Sequence, residues 1–387
     1  MNNVPNLRFS SFNDRWKKIK LGDKCTFYSG GTPLTTNKRY YDGNIPFIRS
    51  AEISSTSTEL TISEDGLNNS SAKMVKKGDL LYALYGATSG EVSISKIDGA
   101  INQAILCIQS DQLNLSFLEK ILRKNKDNII NTYLQGGQGN LSSKIVQDLR
   151  YYVPSLEEQE KIASFFSLID KKIELQTEKV EELKNYKKGI MQKIFSQELR
   201  FKDENGNEYP EWEERKVKDI FDVTRGVVIA KSEISDENND MYKYPVYSSQ
   251  TSNNGILGYD QTFDFEGNYL TWTTDGANAG RVFGRSGKFR CTNVCGVLVE
   301  KDITKGYANK LLVEILNRET PKYVSYVGNP KLMNGVMSEI KIKLPILKEQ
   351  VKVSKLIEQL DTKIEKEQEK LEYLKQYKKG LLQQMFI

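Results

Sequence analysis

The sequence predicts an α+β fold with a pseudo-twofold internal repeat: two similar mixed α/β domains separated by two long helices that form an antiparallel coiled coil. Three observations lead there. Residues 154–195 and 345–386 agree at 20 of 42 positions without a gap. Both segments carry apolar residues at helical spacings of three and four. The stretches outside them are rich in Gly, Ser, Thr, Asn and Tyr and hold short apolar runs, the composition of strands joined by turns.

Length and composition set the bounds. A chain of 387 residues is long enough for two or three domains. With 38% hydrophobic and 28% charged residues, and a mean hydropathy of −0.54, it has enough apolar material for real cores and is not expected to be disordered. No run approaches the ~20 apolar residues of a membrane span. The opening MNNVPNLRFS lacks the apolar stretch of a signal peptide, so a cytoplasmic location without membrane association is expected. The complete absence of histidine excludes Ser-His-Asp and Cys-His catalysis, histidine acid–base chemistry and histidine-ligated metals. Four cysteines do not make a disulfide framework.

The elements follow in chain order. Residues 1–153 form the first domain, 154–198 the first helical spacer, 199–344 the second domain and 345–387 the second spacer. Each domain begins alike: Leu7-Arg8-Phe9 precedes Trp16, and Leu199-Arg200-Phe201 precedes Trp212. Gly86–Gly90 matches Gly276–Gly280, and Gly137–Leu141 matches Gly328–Leu332. The first LRF stands where a preceding copy of the helix would end, so the order of parts is cyclic. DLLYALYG, AILCIQ, YLTWTT and CGVLVE read as buried strands, and LSFLEKILRKNKDNII and YANKLLVEILNRETPKYV as helices.

The two long helices carry matching seams. One is Ile169, Ile173, Gln176, Val180, Leu183, Lys187, Ile190 and Ile194. The other is Leu360, Ile364, Glu367, Leu371, Leu374, Lys378, Leu381 and Met385. A parallel pairing in register sets Lys187 against Lys378. An antiparallel pairing with Ile169 opposite Met385 sets Lys187 against Glu367 and Gln176 against Lys378, which leaves no seam charge unpartnered. Phe165, Phe166, Leu356 and Ile357 lie outside the seam and are expected to dock onto the domains or onto partner helices.

Catalytic patterns are missing. There is no phosphate-binding G-x-x-x-x-G-K-[ST] loop and no N-P-P-[YF] or D-P-P-Y sequence. Cys291 and Cys295 read as core residues on one face of a strand, with no histidine to complete a metal site. What the turn-like segments offer suits DNA: Arg39, Tyr40, Tyr41, Arg49, Gln138, Asn140, Arg225, Ser249, Gln250, Arg281 and Lys331. Arginine bridges guanine edges, Asn and Gln bridge adenine, and either holds phosphate. Charge is distributed unevenly: residues 1–153 hold 19 basic and 14 acidic residues, and 196–345 hold 20 and 22. DNA binding therefore needs cations concentrated on particular surfaces, or partners that supply them.

Two dissimilar domains alternating with two near-identical helices, each domain introduced by LRF…W and each helix beginning P-x-L-x-E-Q-x-K and reaching YKKG, resemble the specificity subunit of a Type I restriction–modification enzyme. The likeness covers essentially the whole chain. It implies that the domains are target recognition domains, each reading half of a split sequence in double-stranded DNA. It implies that the helices space them and dock two methyltransferase subunits. The chain itself would be non-catalytic and without cofactor. S-adenosylmethionine would sit in the adenine methyltransferase partners, and ATP and Mg would serve separate restriction and translocase subunits. The competing expectation is a coiled-coil protein-binding scaffold without DNA specificity.

Overall fold

Each domain is closed by the strand that enters it and the strand that leaves it. Lys17–Lys20 pairs antiparallel with Arg150–Val153, and Glu213–Lys216 pairs antiparallel with Lys341–Leu344. The computed structural model describes residues 4–134 and 140–387. It resolves into two compact units, one of residues 1–178 with 369–387 and one of residues 179–368. Each long helix, Leu156–Phe195 and Leu347–Met385, contributes one segment to each unit.

In the first unit the strands Thr26–Ser29, Ile105–Gln109, Leu80–Ala83 and Val92–Ile94 lie side by side in that order. A second sheet holds Thr61–Ile62, Tyr41–Ile48, Gly99–Ile101 and Lys73–Val75, with the second and third strands parallel. In the second unit the same path is one six-stranded sheet: Phe221–Arg225, Cys295–Glu300, Phe265–Thr273, Val282–Cys291, Tyr244–Tyr247 and Ile256–Asp260. Val282–Cys291 does there what Val92–Ile94 and Gly99–Ile101 do separately, because Gly267 and Gly287 face each other across the hairpin with φ of 129° and 84°. Those positive φ values, open to glycine, bend the ribbon without interrupting it. The expected strands all form. The helix expected over 115–130 is two helices, Leu115–Lys124 and Lys126–Tyr133, broken at Asn125.

The repeated P-x-L-x-E-Q sequence proves to be a joint. Glu158 and Glu349 are almost completely buried, and each accepts a two-pronged arginine: Arg8 at 2.7 and 2.7 Å, Arg200 at 3.2 and 2.7 Å. The next residues, Gln159 and Gln350, donate to the carbonyls of Pro154 and Pro345 at 3.0 and 2.8 Å. The cyclic order is also visible. Leu199 N–H donates to Lys193 O at 3.0 Å along the chain, while Leu7 N–H makes the same 3.0 Å bond to Gln384 O of the other long helix. Phe386 then packs beside Trp16, Phe117 and Phe166. Phe165 and Leu356 pack against the domain cores and Phe166 and Ile357 lie within them, as expected.

Within each unit the two helix segments run in opposite directions, but not in the expected register. Lys187 Nζ holds Asp361 at 2.7 Å and Glu314 at 2.9 Å, while Glu367 takes Lys179. Lys378 pairs with Asp170. Lys187 thus takes Asp361, six positions from the expected Glu367, and Lys378 takes Asp170, six positions from the expected Gln176. The charged partners stand beside the seam rather than on it. Burial works against the charge on Lys187, but hydrogen bonds to Asp361 and Glu314 outweigh it and raise its pKa. Among the described residues, no helix is long and apolar enough to cross a membrane.

Two outcomes are expected. Lys187→Glu, which gathers three carboxylates, should lower stability by about 1–3 kcal/mol in urea unfolding. Adding Asp361→Lys should recover most of the loss, and adding Glu367→Lys should not. Separately, linking residue 386 to residue 6 through a short Gly-Ser tether and opening the chain at residues 197–198 should give a folded permutant. Its urea midpoint should stay close to that of the parent, because the joint in the first unit already holds without a covalent link.

Candidate nucleic-acid interface

In the second unit, the loops that follow the strands converge on one surface. Phe221–Arg225 ends at Gly226, whose N–H donates to Cys295 O at 3.1 Å. A Cβ there would stand 1.9 Å from Cys291 O, so only glycine fits. In the first unit, Gly30 follows Thr26–Ser29 in the same way, with a Cβ position 1.7 Å from Ile101 O. This glycine pair is a repeat landmark that the sequence comparison passed over.

The Ser249 hydroxyl lies 2.8 Å from Asp275 Oδ1 and also within reach of Val294 O. With one proton it donates to one of them at a time. Thr274 Oγ1 donates to Val294 O at 2.8 Å, and Asn278 Nδ2 donates to Thr251 Oγ1 at 3.0 Å. Asp275 bridges Lys331, and Val227 bridges Thr292. Val227, Ser249, Asp275 and Lys331 thus lie, over the buried Thr292, along one surface. All five residues expected from this domain lie on it or at its rim: Ser249, Gln250 and Lys331 within it, Arg225 beside Gly226, and Arg281 at the end of the Asp275–Gly280 turn. Arg225, Arg281 and Lys331 are exposed. Gln250 is committed to Ile256 O through its amide.

Beneath this surface sits Arg285, 4% exposed. Its guanidinium lies between the rings of Tyr247 and Phe283, 3.7 and 4.4 Å from their centroids. It donates to Thr271 Oγ1 at 3.0 Å and to Asn254 O at 2.8 Å. Among the described residues no carboxylate pairs with it, and burial lowers its pKa. Asn253 and Asn254 hold left-handed φ of 47° and 52°, so Arg285 braces a turn that would otherwise be costly. Cys291 and Cys295 are buried, but a turn separates them and places them on two strands that flank Phe265–Thr273 rather than on one strand face. The hydrogen bond to Cys295, reinforced by burial, pushes the Cys291 thiol up.

The first unit offers a different set. Gly30 N–H donates to Asn102 O at 3.2 Å, and Thr32 Oγ1 donates to Gln103 Oε1 at 2.8 Å. Arg49 is not a free reader: Glu52 accepts from it at 3.0 and 3.2 Å, and Glu59 pairs with it too, which raises its pKa. Tyr41 OH donates to Pro33 O at 2.7 Å and is half-buried; Tyr40 is half-buried and Arg39 is exposed. Asn140 is exposed and bridges Tyr85. Gln138 lies outside the described residues. Sequence reasoning missed Thr32, Gln103, Asp275 and Asn278. Asn278 had a signal, since it occupies the variable centre of the repeated G-A-x-x-G turn opposite Thr88.

Arg285→Ala should remove the stack and orphan Asn254 O, at a cost of about 2–4 kcal/mol in urea unfolding. Arg285→Lys, which lacks the planar fork, should recover less than half of that loss.

Residues 13–185 and 209–376 both match the family described as the Type I restriction modification DNA specificity domain. A type I specificity subunit N-terminus from Mycoplasma pneumoniae is 44% identical over 144 residues, covering 37% of this chain and 74% of that protein. A second type I specificity subunit from the same organism is 37% identical over 224 residues, covering 56% and 77%. The Type I restriction enzyme MjaVIII specificity subunit of Methanocaldococcus jannaschii is 23% identical over 408 residues, covering 95% and 91%. The fold is shared with the S subunit of the Type I restriction-modification system from M. genitalium, at a TM-score of 0.67, 17% identity and 99% coverage of both chains. It is also shared with a chain from a structure described as the structural basis underlying complex assembly and conformational transition of the type I R-M system, at a TM-score of 0.58, 16% identity and 95% and 96% coverage.

Proposed function

The chain belongs to the Type I restriction modification DNA specificity domain family, as a non-catalytic specificity subunit of a restriction–modification system, and from that membership we propose that its two domains each read one half of a split DNA target. The observation that carries this reading is the contrast within the repeat. The joint around Glu158 and Glu349 is the same in both copies, while the loop surfaces around Gly30 and Gly226 carry different polar groups. A scaffold shared between two readers has to be built that way.

In this reading residues 1–153 and 199–344 are the target recognition domains. Arg39, Thr32, Gln103 and Asn140 face one half-site; Arg225, Ser249, Asp275, Asn278, Arg281 and Lys331 face the other. Arginine and lysine take phosphate or guanine. Ser249, Asp275 and Asn278 offer the acceptors and donors that separate adenine and cytosine edges in the major groove. The helices form an antiparallel coiled coil that sets the distance between the readers. At ~1.5 Å per residue, helices of 40 and 39 residues are long enough to separate half-sites by about one turn of DNA. They also dock two methyltransferase subunits, on which exposed Leu168 and Leu175 would find apolar partners. Those subunits would bring S-adenosylmethionine, and restriction and translocase subunits would bring ATP and Mg. The assembly would act on cytoplasmic DNA.

Exchanging residues 212–343 for the equivalent segment of a related subunit should change one half of the methylated sequence. The other half, the spacing and co-purification with the methyltransferase should stay as they are. Methylome sequencing of a host carrying the chimera reads all of this. A change in both half-sites, or in spacing alone, would sink the assignment of one reader per domain.

A further inference from the structure

One hairpin on the second domain's loop surface has a base more firmly fixed than any of its side chains requires. Ser325 and Lys331 exchange two backbone hydrogen bonds, each 2.9 Å, so residues 326–330 form a closed turn. Gly328 takes the left-handed conformation at its crest, with φ of 75°. Gly276 N–H donates to Pro330 O at 3.0 Å, and Leu332 N–H to Thr274 O at 2.8 Å. Trp272, fully buried, donates its Nε1–H to Leu332 O at 3.0 Å. The hairpin is therefore an extension of the sheet rather than a loose loop.

Its tip is apolar. Tyr326 is 70% exposed and Val327 is 93% exposed. Scattered apolar residues on a surface need no explanation, but this pair is adjacent, stands at the summit of a braced turn and contributes nothing to the core. Across the polar surface a second apolar projection answers it: Val227 and Val228, 50% and 80% exposed, pinned by the bond from Val227 N–H to Cys291 O at 3.1 Å. Between the two lie Ser249 and Asp275, and Lys331 stands at the foot of the hairpin. A polar surface bounded by apolar projections and cations matches the section of a duplex. Base edges are polar, the phosphates on each side are anionic, and the faces of the bases, reached only by separating a step, are apolar.

We propose that Tyr326 and Val327 form a wedge that enters the base stack at a step adjoining the second half-site and opens it while the polar surface holds the base edges. The inference rests on the reading of this domain as a DNA reader. An apolar side chain between bases exchanges contact with water for contact with base faces. The unstacking it imposes is easiest at pyrimidine–purine steps. The wedge therefore contributes sequence preference at a step where no hydrogen bond to a base is made. It belongs to one half-site only, because the aligned sequence positions of the first domain are Gln135 and Gly136, which supply no such pair.

The test uses the full chain assembled with its methyltransferase subunits on duplexes bearing the target found by methylome sequencing. 2-Aminopurine is placed in turn at each position of the second half-site and its flanks. The wild-type complex should raise the fluorescence at one step distinct from the methylated adenine. The Tyr326→Ser, Val327→Ser double variant should lose that rise, bind the target several-fold more weakly and tolerate substitutions at the step. Its thermal midpoint and its methyltransferase content should be unchanged. A wild-type complex that prefers its target over a scrambled duplex but brightens at no such step overturns the wedge and leaves the reading standing. A wild-type complex with no such preference overturns the reading, and the wedge with it. Loss of the methyltransferase from the double variant overturns the wedge in favour of a protein contact at the tip.

Discussion

The structure depends on two buried carboxylates. Glu158 and Glu349 sit in the first turn of the long helices, nearly inaccessible to water, and each meets an arginine there. The two-pronged geometry of Arg8 and Arg200 leaves little rotational freedom, because a planar fork meeting a planar carboxylate fixes direction as well as distance. Breaking such a pair strands a buried charge, which is far costlier than losing a surface contact. Each pair therefore ties the LRF segment to the helix that leaves the domain. The glutamines that follow, holding Pro154 O and Pro345 O, close the same corner from the backbone side.

That constraint frees the rest of the domain to vary. With the corner and the two-stranded base fixed, the central strands keep the same order in both copies, yet one sheet is split and the other is continuous through a glycine bend. The loop surfaces lie on this divergent part. Gly30 and Gly226 stay matched there, since the strand must pass within contact distance of a carbonyl whatever the neighbouring loops carry. Fixed corners and variable surfaces are two consequences of one arrangement, in which stability and recognition draw on different residues.

What could be read from the sequence follows the same division. The helices were legible because burial imposes a period, and Leu80–Ala83 and Cys295–Glu300 were legible as unbroken apolar runs buried on both faces. The joint was visible as a motif but not as chemistry, because the partners of Glu158 and Glu349 stand about 150 residues away. The helix register was misread for a similar reason. Lys187 is satisfied in part by Glu314, a residue of the domain rather than of the opposing helix, and no seam pattern contains it. Arg49 looked free because its acid partners, Glu52 and Glu59, lie in a turn whose closure cannot be seen from spacing alone. The Cys291–Cys295 spacing suggested one strand face, and the intervening turn places the two on separate strands. Asp275 was invisible for want of its partner, since only folding brings Ser249 beside it.

On the proposed reading, Asp275 also explains how a domain with more acidic than basic residues can serve DNA. A carboxylate on a reading surface repels every phosphate and rewards only a base-edge amino group correctly placed to donate to it. It lowers affinity for all sequences and lowers it least for the right one. Ser249 refines this, since its single proton goes either to Asp275 or to Val294 O, and the choice changes what the carboxylate can still accept. A surface built this way gains discrimination at the expense of attraction. The attraction then has to come from Arg225, Arg281 and Lys331 at its rim and from whatever basic surfaces the other subunits bring. A chain with a net charge of only +5 over 387 residues is suited to that division of labour, in which it selects the site and its partners supply much of the grip.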